Sequence, residues 1–190
     1  MNTFSSILER KNGLDDPAIL GREPYSYREL ISLATEFADT LRPILKNTSR
    51  PLICAVLPAS PIQIAAFLAA YILDAVLTPV NPQSSTQEIK HIIDETEATI
   101  VISTPTMPLP NQIRLAPASQ WNGIEIRRIS DRSHAFLESG DRLIIFTSGS
   151  TSKPKGVVLT DQSLTRNFRS VAEFLELSPE DKTCVFTPPA

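Results

Sequence analysis

The sequence has little cysteine, little glycine and no excess of charge of one sign. Its 190 residues include 2 cysteines, 6 glycines, 2 histidines, and 18 basic against 21 acidic side chains. Cys54 and Cys184 form no C-x-x-C pair and no cluster with histidine, so neither a zinc site nor a redox pair is indicated. We expect no metal site built from protein ligands, no nucleic-acid partner, and two cysteines that stay reduced.

Long apolar runs are also missing. The longest run, residues 64–73, is far shorter than the roughly 20 residues that a membrane-spanning helix needs. Residues 1–6 carry neither the basic residues nor the apolar stretch of a secretory signal. We therefore expect no transmembrane segment and a cytoplasmic protein. The length is nevertheless that of an ordinary domain, which can bury a core without disulfides.

Apolar runs of strand length alternate with helical patterns along most of the chain. Strands are predicted over 52–57, 75–79 and 98–102, and their continuous apolar runs suit strands that are covered on both faces. Helices are predicted from about 27 to 43, over 62–73, and after Ser85. Ser26 with Glu29, and Ser85 with Glu88, have the spacing of capping boxes. The alternation predicts an α/β fold, with a doubly wound, mostly parallel sheet and flanking helices.

The remaining segments are shorter or less regular. We expect a hairpin from 18–20 and 25–27, an irregular loop over 103–123, and strands at 124–129, 143–146, 157–159 and 183–187. An amphipathic helix is predicted over 164–175, begun by Thr160 or Asp161.

One loop concentrates the residues that bind phosphate. Residues 147–156 read T-S-G-S-T-S-K-P-K-G, with five hydroxyls, two glycines and two lysines between two apolar strands. Glycine lets the backbone approach a ligand, successive N–H groups can form an anion-binding nest, and lysine supplies a mobile charge. This composition favours a polyphosphate ligand. The alternative for such a loop is a solvated turn whose hydroxyls satisfy only the backbone.

A Walker A loop does not fit the same residues. That motif requires G-x-x-x-x-G-K-[ST], but Pro154 stands five positions after Gly149, and Val157 follows Gly156. The loop also leads into a strand and does not open a helix. An unrelated α/β NTPase is therefore disfavoured.

The loop resembles the phosphate-binding signature of the adenylate-forming enzymes. Residues 146–157, F-T-S-G-S-T-S-K-P-K-G-V, are similar to Y-T-S-G-[ST]-T-G-x-P-K-G-V, found in acyl-CoA synthetases, fatty-acyl-AMP ligases, peptide-synthetase adenylation domains and luciferases. Residues 25–30 and 69–82 resemble two earlier segments of that family, in the family's order. The resemblance implies that residues 1–190 are the N-terminal subdomain of an AMP-binding domain, without the later subdomains and the C-terminal domain.

The resemblance implies a two-step reaction with ATP and Mg²⁺. A carboxylic acid attacks the α-phosphorus of ATP, pyrophosphate leaves, and the acyl-adenylate is captured by a thiol of CoA or of a carrier-protein phosphopantetheine. Lys155 would be the catalytic residue that neutralises pyrophosphate, and Lys153 a surface lysine. Pro154 and Gly156 would shape the backbone. The residues implied in nucleotide binding are Thr147, Ser148, Gly149, Ser150, Thr151, Ser152, Lys155 and Gly156.

Three positions depart from the family pattern. Ser152 replaces a usual glycine, Asp74-Ala75 stands where Ala-Gly is common, and Asp161 stands where histidine is usual, which puts a nucleotide contact there in doubt. Two interpretations stay open: part of an acid-activating ligase that is inactive as a fragment, or a stand-alone remnant that binds phosphate or a partner. The pattern selects neither the acid nor the acceptor thiol.

The isolated aromatic and titratable side chains show no catalytic pattern. His91 and His134 have no paired Ser or Asp motif, so we expect both on the surface, and we expect Trp121 to serve packing.

Overall fold

The computed structural model describes residues 7–10, 13–21, 24–110, 119–129, 134, 136–147, 154–178 and 180–182. Within them lie a small hairpin, a seven-stranded sheet and four helices. The hairpin strands are β1 (Pro17–Ile19) and β2 (Tyr25–Ser26). The helices are α1 (Tyr27–Leu45), α2 (Pro61–Ile72), α3 (Thr86–Thr96) and α4 (Asp161–Phe174). The sheet strands are β3 (Leu52–Val56), β4 (Val76–Val80), β5 (Ile100–Ser103), β6 (Ser119–Trp121), β7 (Ile124–Arg128), β8 (Asp141–Thr147) and β9 (Lys155–Thr160).

The central sheet is parallel in its middle and antiparallel at both edges. Its strand order is β6-β7-β5-β3-β4-β8-β9. The strands β5, β3, β4 and β8 run parallel, whereas β7 is antiparallel to β5, and β9 is antiparallel to β8. The predicted doubly wound, mostly parallel α/β fold is confirmed. The antiparallel pairing of the edge strands was not predicted by the alternation of strands and helices.

Helices cover both faces of this sheet. Ile53 and Ala55 of β3 pack in one cluster with apolar residues of α1 and α2, whereas Cys54 and Val56 pack in a second cluster with the isoleucines of α3. Because successive strand residues point to opposite faces, a strand between two helical layers must be apolar throughout. Burial raises the pKa of the Cys54 thiol to about 12, as expected for an inert apolar group.

Three of the four helices in the described residues begin at capping residues that the sequence predicts. Ser26 and Ser85 form capping boxes with Glu29 and Glu88, in which each glutamate also accepts from the cap backbone N–H at 2.8 Å. Of the two candidates for α4, Thr160 is the cap, since its hydroxyl accepts from the backbone of the third helical residue at 3.1 Å.

Asp74 follows α2 in a left-handed conformation, with φ of +50°. Glycine adopts this conformation more readily than a residue with a Cβ atom does. The Asp74 carboxylate lies 3.0 Å from Arg50 and 2.6 Å from Arg142. Partial burial alone raises the pKa of Asp74, but the hydrogen bonds and charges of Arg142 and Arg50 outweigh it, and the pKa is lowered. Asp74 thus joins α2 to β8 at the cost of a less favourable backbone.

Sequence expectations are wrong in the described part of the chain for residues 119–121 and for His134. Within 103–123, predicted as an irregular loop, β6 pairs with β7 along three residues. His134, expected on the surface, is buried, and its Nε2 lies 3.3 Å from Thr99 Oγ1. Trp121 does serve packing, because its ring stacks on Phe37 with centroids 4.3 Å apart.

The hairpin of β1 and β2 is observed as predicted, while the strand expected at 183–187 lies outside the described residues. No helix in the described part of the chain is both long and apolar enough to span a membrane.

Candidate polyphosphate site

The described ends of the predicted phosphate-binding motif belong to the strands β8 and β9. The two strands are antiparallel, and Thr147 at the end of β8 pairs with Lys155 at the start of β9. Because β8 is parallel to β4, both residues lie at the carboxyl edge of the parallel strands. Ligands of open α/β sheets bind at that edge. The other predicted phosphate ligands, Ser148, Gly149, Ser150, Thr151 and Ser152, lie outside the described residues, as does Lys153.

Thr147 and Lys155 present their side chains to solvent at this edge. Both are exposed, and they stand opposite each other in the hairpin register. A hydroxyl and an ammonium at one end of a hairpin supply a hydrogen-bond donor and a positive charge, which are the groups that suit phosphate oxygens. Thr147 and Lys155, two of the three described members of the predicted set, therefore carry groups that suit phosphate, and the strand that follows the motif is confirmed.

Gly156 has a packing role that the motif alone does not reveal. It lies in β9 opposite Phe146, and its φ is not in the left-handed region. A Cβ atom at this position would lie 3.0 Å from Ile144 Cγ2 and 3.1 Å from Phe146 Cζ. The glycine therefore leaves room for the Phe146 ring to lie over the hairpin, and its role in nucleotide binding stays a prediction.

His91 of α3 contacts the same hairpin. Its Nε2 lies 3.2 Å from the carbonyl oxygen of Pro154, and its ring meets the Phe146 ring edge-on, with centroids 6.4 Å apart. Only 18% of the His91 side chain is exposed, so this residue is half-buried at the surface and does not project freely into solvent. No spacing signal in the sequence links His91 to residue 154, because the contact joins residues 63 positions apart.

A groove of about 650 Å³ runs along the hairpin on the side of α3. Its polar groups include His91, Glu95 and Lys155, and its apolar wall includes Phe146 and Phe136. The Glu95 carboxylate lies 3.9 Å from His91 Nδ1. The groove is open to solvent, so it is a surface feature beside the candidate polyphosphate site and not an enclosed ligand cavity.

Asp161, the departure from the family's histidine, lies at the other end of the hairpin. Thr160 pairs with Asp141, and the seven residues of β8 separate that end from Thr147 by roughly 20 Å. The Asp161 carboxylate lies 4.0 Å from Arg142 Nε. Partial burial raises the pKa of Asp161, against the lowering effect of Arg142. At this distance Asp161 is too far from the carboxyl edge of the strands to contact a phosphate bound there.

Acidic and metal-binding side chains do not cluster in the described part of the chain. Among those residues no group of three or more His, Cys, Asp or Glu could hold a metal ion.

Comparisons with known proteins assign the family. A family model described as "AMP-binding enzyme" matches residues 9–190. The chain is 28% identical over 170 residues to a dimodular nonribosomal peptide synthase of Bacillus subtilis (strain 168), covering 85% of this chain and 7% of that protein. It is 26% identical over 181 residues to the phosphinothricin tripeptide synthetase PhsC of Streptomyces viridochromogenes, covering 87% of this chain and 16% of that protein.

Solved structures share the fold at low sequence identity. The crystal structure of CmiS6 superimposes with a TM-score of 0.75 at 20% identity, over 98% of this chain and 47% of that one. The o-succinylbenzoate CoA synthetase MenE of Bacillus subtilis, solved with the acyl-adenylate OSB-AMP, gives a TM-score of 0.73 at 15% identity, over 99% of this chain and 50% of that one. The chain thus spans about half the length of these structures and a small part of the peptide synthetases. The family match over nearly the whole sequence shows that this chain belongs to the AMP-binding, adenylate-forming enzymes.

Proposed function

We propose that this chain is the N-terminal subdomain of an ATP-dependent ligase that activates a carboxylic acid as its acyl-adenylate. The observation that carries the proposal is the β8–β9 hairpin, which presents Thr147 and Lys155 at the carboxyl edge of the parallel strands. A polyphosphate chain can meet hydroxyl, ammonium and backbone donors there.

In the proposed reaction, the negative charge that the protein must stabilise develops on the leaving pyrophosphate. A carboxylate oxygen of the substrate bonds to the α-phosphorus of ATP, and the bond from that phosphorus to the bridging oxygen of pyrophosphate breaks. Negative charge then builds up on the β- and γ-phosphates. Lys155 would compensate this charge, while Thr147 and residues 148–152 would donate hydrogen bonds that fix the phosphates.

Mg²⁺ would enter this site with ATP. The hydroxyl- and lysine-rich hairpin suits phosphate oxygens better than a bare divalent cation, and the described residues offer no acidic cluster. We propose that phosphate oxygens and water hold most of the ion's coordination sphere, and that the ion neutralises phosphate charge.

The chain alone would not complete the reaction. It spans about half of the related solved structures, so we propose that groups outside these 190 residues orient the α-phosphate and bind the acyl chain. The acceptor would be a thiol of CoA or of carrier-protein phosphopantetheine. Because the reaction consumes ATP and needs a reduced thiol, we propose a cytoplasmic location.

A non-catalytic, phosphate-binding remnant is the second candidate. Two departures from the family pattern, Ser152 and Asp161, favour it at the level of sequence. Since Asp161 lies at the far end of the hairpin, only Ser152 still bears on phosphate binding.

Two measurements separate these candidates. The reading frame downstream of codon 190 should continue into further coding sequence, whereas a native stop codon there would favour the remnant. The full-length protein should release pyrophosphate from ATP with at least one member of a panel of amino, aryl and fatty acids, while the 190-residue chain should release none. A full-length protein that is inactive with every acid and does not bind ATP would refute the ligase.

A further inference from the structure

We propose that His91 is a positioning residue of the polyphosphate site, one that holds the start of β9 so that Lys155 reaches the phosphates. This inference rests on the proposed function. Its basis is the contact between His91 Nε2 and the Pro154 carbonyl oxygen, 3.2 Å apart, directly before Lys155. Pro154 has no backbone N–H, so its carbonyl oxygen is its only backbone hydrogen-bonding group.

The contact fixes the proton on one ring nitrogen. A carbonyl oxygen only accepts hydrogen bonds. His91 Nε2 must therefore carry a hydrogen, and its N–H donates a hydrogen bond to the Pro154 carbonyl oxygen. In the neutral ring the opposite nitrogen, Nδ1, is then unprotonated, and it faces the Glu95 carboxylate at 3.9 Å.

The helix that carries His91 is rigidly placed. Ile89, Ile92 and Ile93 of α3 are buried in the cluster beneath β3 and β4, so the helix cannot shift without losing core contacts. His91 lies next to these buried isoleucines on α3, and its Nε2 contacts the Pro154 carbonyl oxygen of the hairpin. The core thereby sets the position of the Pro154 carbonyl.

A second contact links the His91 ring to the hairpin. The Phe146 ring meets the His91 ring edge-on, and its Cζ lies 3.1 Å from where a Cβ of Gly156 would lie. Histidine, phenylalanine and glycine therefore hold both strands of the hairpin, one residue away from Thr147 and from Lys155.

The charged groups that face His91 come from two elements. Glu95 lies on α3 itself, and Lys155 of β9 lines the same groove. Lys90 and Asp94, on neighbouring positions of α3, form an ion pair with each other. Glu95 and Lys155 therefore place opposite charges in the groove beside His91.

The first test uses variants of the full-length protein. His91→Gln keeps a donor near the position of Nε2, whereas His91→Asn and His91→Ala do not. We expect the last two to raise the KM for ATP roughly 3- to 10-fold with a smaller change in kcat, and the glutamine variant to stay within about twofold of wild type. Gln87→Ala, one turn earlier on α3, is the matched control and should change neither parameter.

The outcomes distinguish this inference from the proposed function. A wild-type protein without acid-dependent activity would refute the function. An active wild type in which all three His91 variants behave alike, or in which none changes KM, would overturn the positioning role.

A ligand-free measurement tests the contact itself. The 190-residue chain has only two histidines, so long-range ¹H–¹⁵N spectra can assign the ring nitrogens of His91 with one variant. We expect the Nε2–H tautomer, and shifts of the Lys155 and Gly156 amides in His91→Asn that are smaller in His91→Gln. An Nδ1–H tautomer, or amides that respond equally to both changes, would overturn the proposal whether or not the protein is a ligase.

Discussion

Replacing Gly156 by alanine tests whether the motif glycine serves packing. The added Cβ would lie 3.0 Å from Ile144 Cγ2, and 3.1 and 3.3 Å from Cζ and Cε2 of Phe146. Contacts this short require the neighbours to move by a few tenths of an ångström. Ile144 is buried and cannot easily yield, whereas the tip of the Phe146 ring can.

The expected loss of stability follows from two opposing effects. Overpacking of this kind typically costs about 1–3 kcal/mol. Because the φ of Gly156 is not left-handed, alanine adopts the same backbone, and it stabilises by about 0.4–1 kcal/mol through the unfolded chain. We therefore expect Gly156→Ala to lower the free energy of unfolding by about 0.5–2 kcal/mol, measured by urea denaturation of the 190-residue chain.

A double-mutant cycle identifies the neighbour that is responsible. In a Phe146→Leu background the ring no longer occupies the space above Gly156. The Gly156→Ala change should therefore cost at least about 0.5 kcal/mol less in that background than in the wild-type chain. Gly123→Ala serves as a control, because its φ is +75° and nothing lies within 4 Å of its Cβ position. Its cost should be backbone strain alone and should not depend on Phe146. A Gly156→Ala chain as stable as wild type would refute the packing role, and a cost unchanged by Phe146→Leu would assign the clash to Ile144.

Two further predictions concern stability. Burial lowers the pKa of His134, against the raising effect of Glu97, so the unfolded chain binds a proton more readily than the folded chain below about pH 6.5. Stability should therefore fall as the pH drops from about 6.5 towards 5, and His134→Gln should flatten this slope in thermal melts; equal slopes would contradict it. Asp74→Gly should be about 1 kcal/mol more stable than Asp74→Ala in urea, because both lose the arginine contacts but only alanine keeps an unfavourable φ near +50°. Equal stabilities would show that backbone strain is absent there.

Local patterns were sufficient to predict most of the framework. The capping pairs at Ser26 and Ser85 fixed the start of two helices, and the continuous apolar run at 52–57 indicated a strand covered on both faces. The composition of 147–156 between two apolar strands predicted a loop that ends in a strand. The two flanking strands are confirmed as β8 and β9, but they extend into the predicted loop at Thr147, Lys155 and Gly156. Each of these signals lies within about a dozen consecutive residues.

Features that depend on distant contacts were not predictable. The strand β6 is short and polar, and it exists because its backbone pairs with β7 at the sheet edge. His134 is buried against Thr99, 35 positions away, and His91 contacts Pro154, 63 positions away. Burial of a lone histidine depends on which segments the fold places beside it, and no local spacing records that.

The most direct test of the phosphate-binding assignment compares two neighbouring lysines. Full-length protein carrying Lys155→Ala should lose roughly 10- to 100-fold in acid-dependent exchange of pyrophosphate into ATP, because it lacks the charge that stabilises the leaving group. Lys153→Ala, with the same charge change two residues earlier, should stay within about twofold of wild type. Unchanged exchange in Lys155→Ala, or equal losses in both variants, would contradict the assignment of Lys155 to the polyphosphate site.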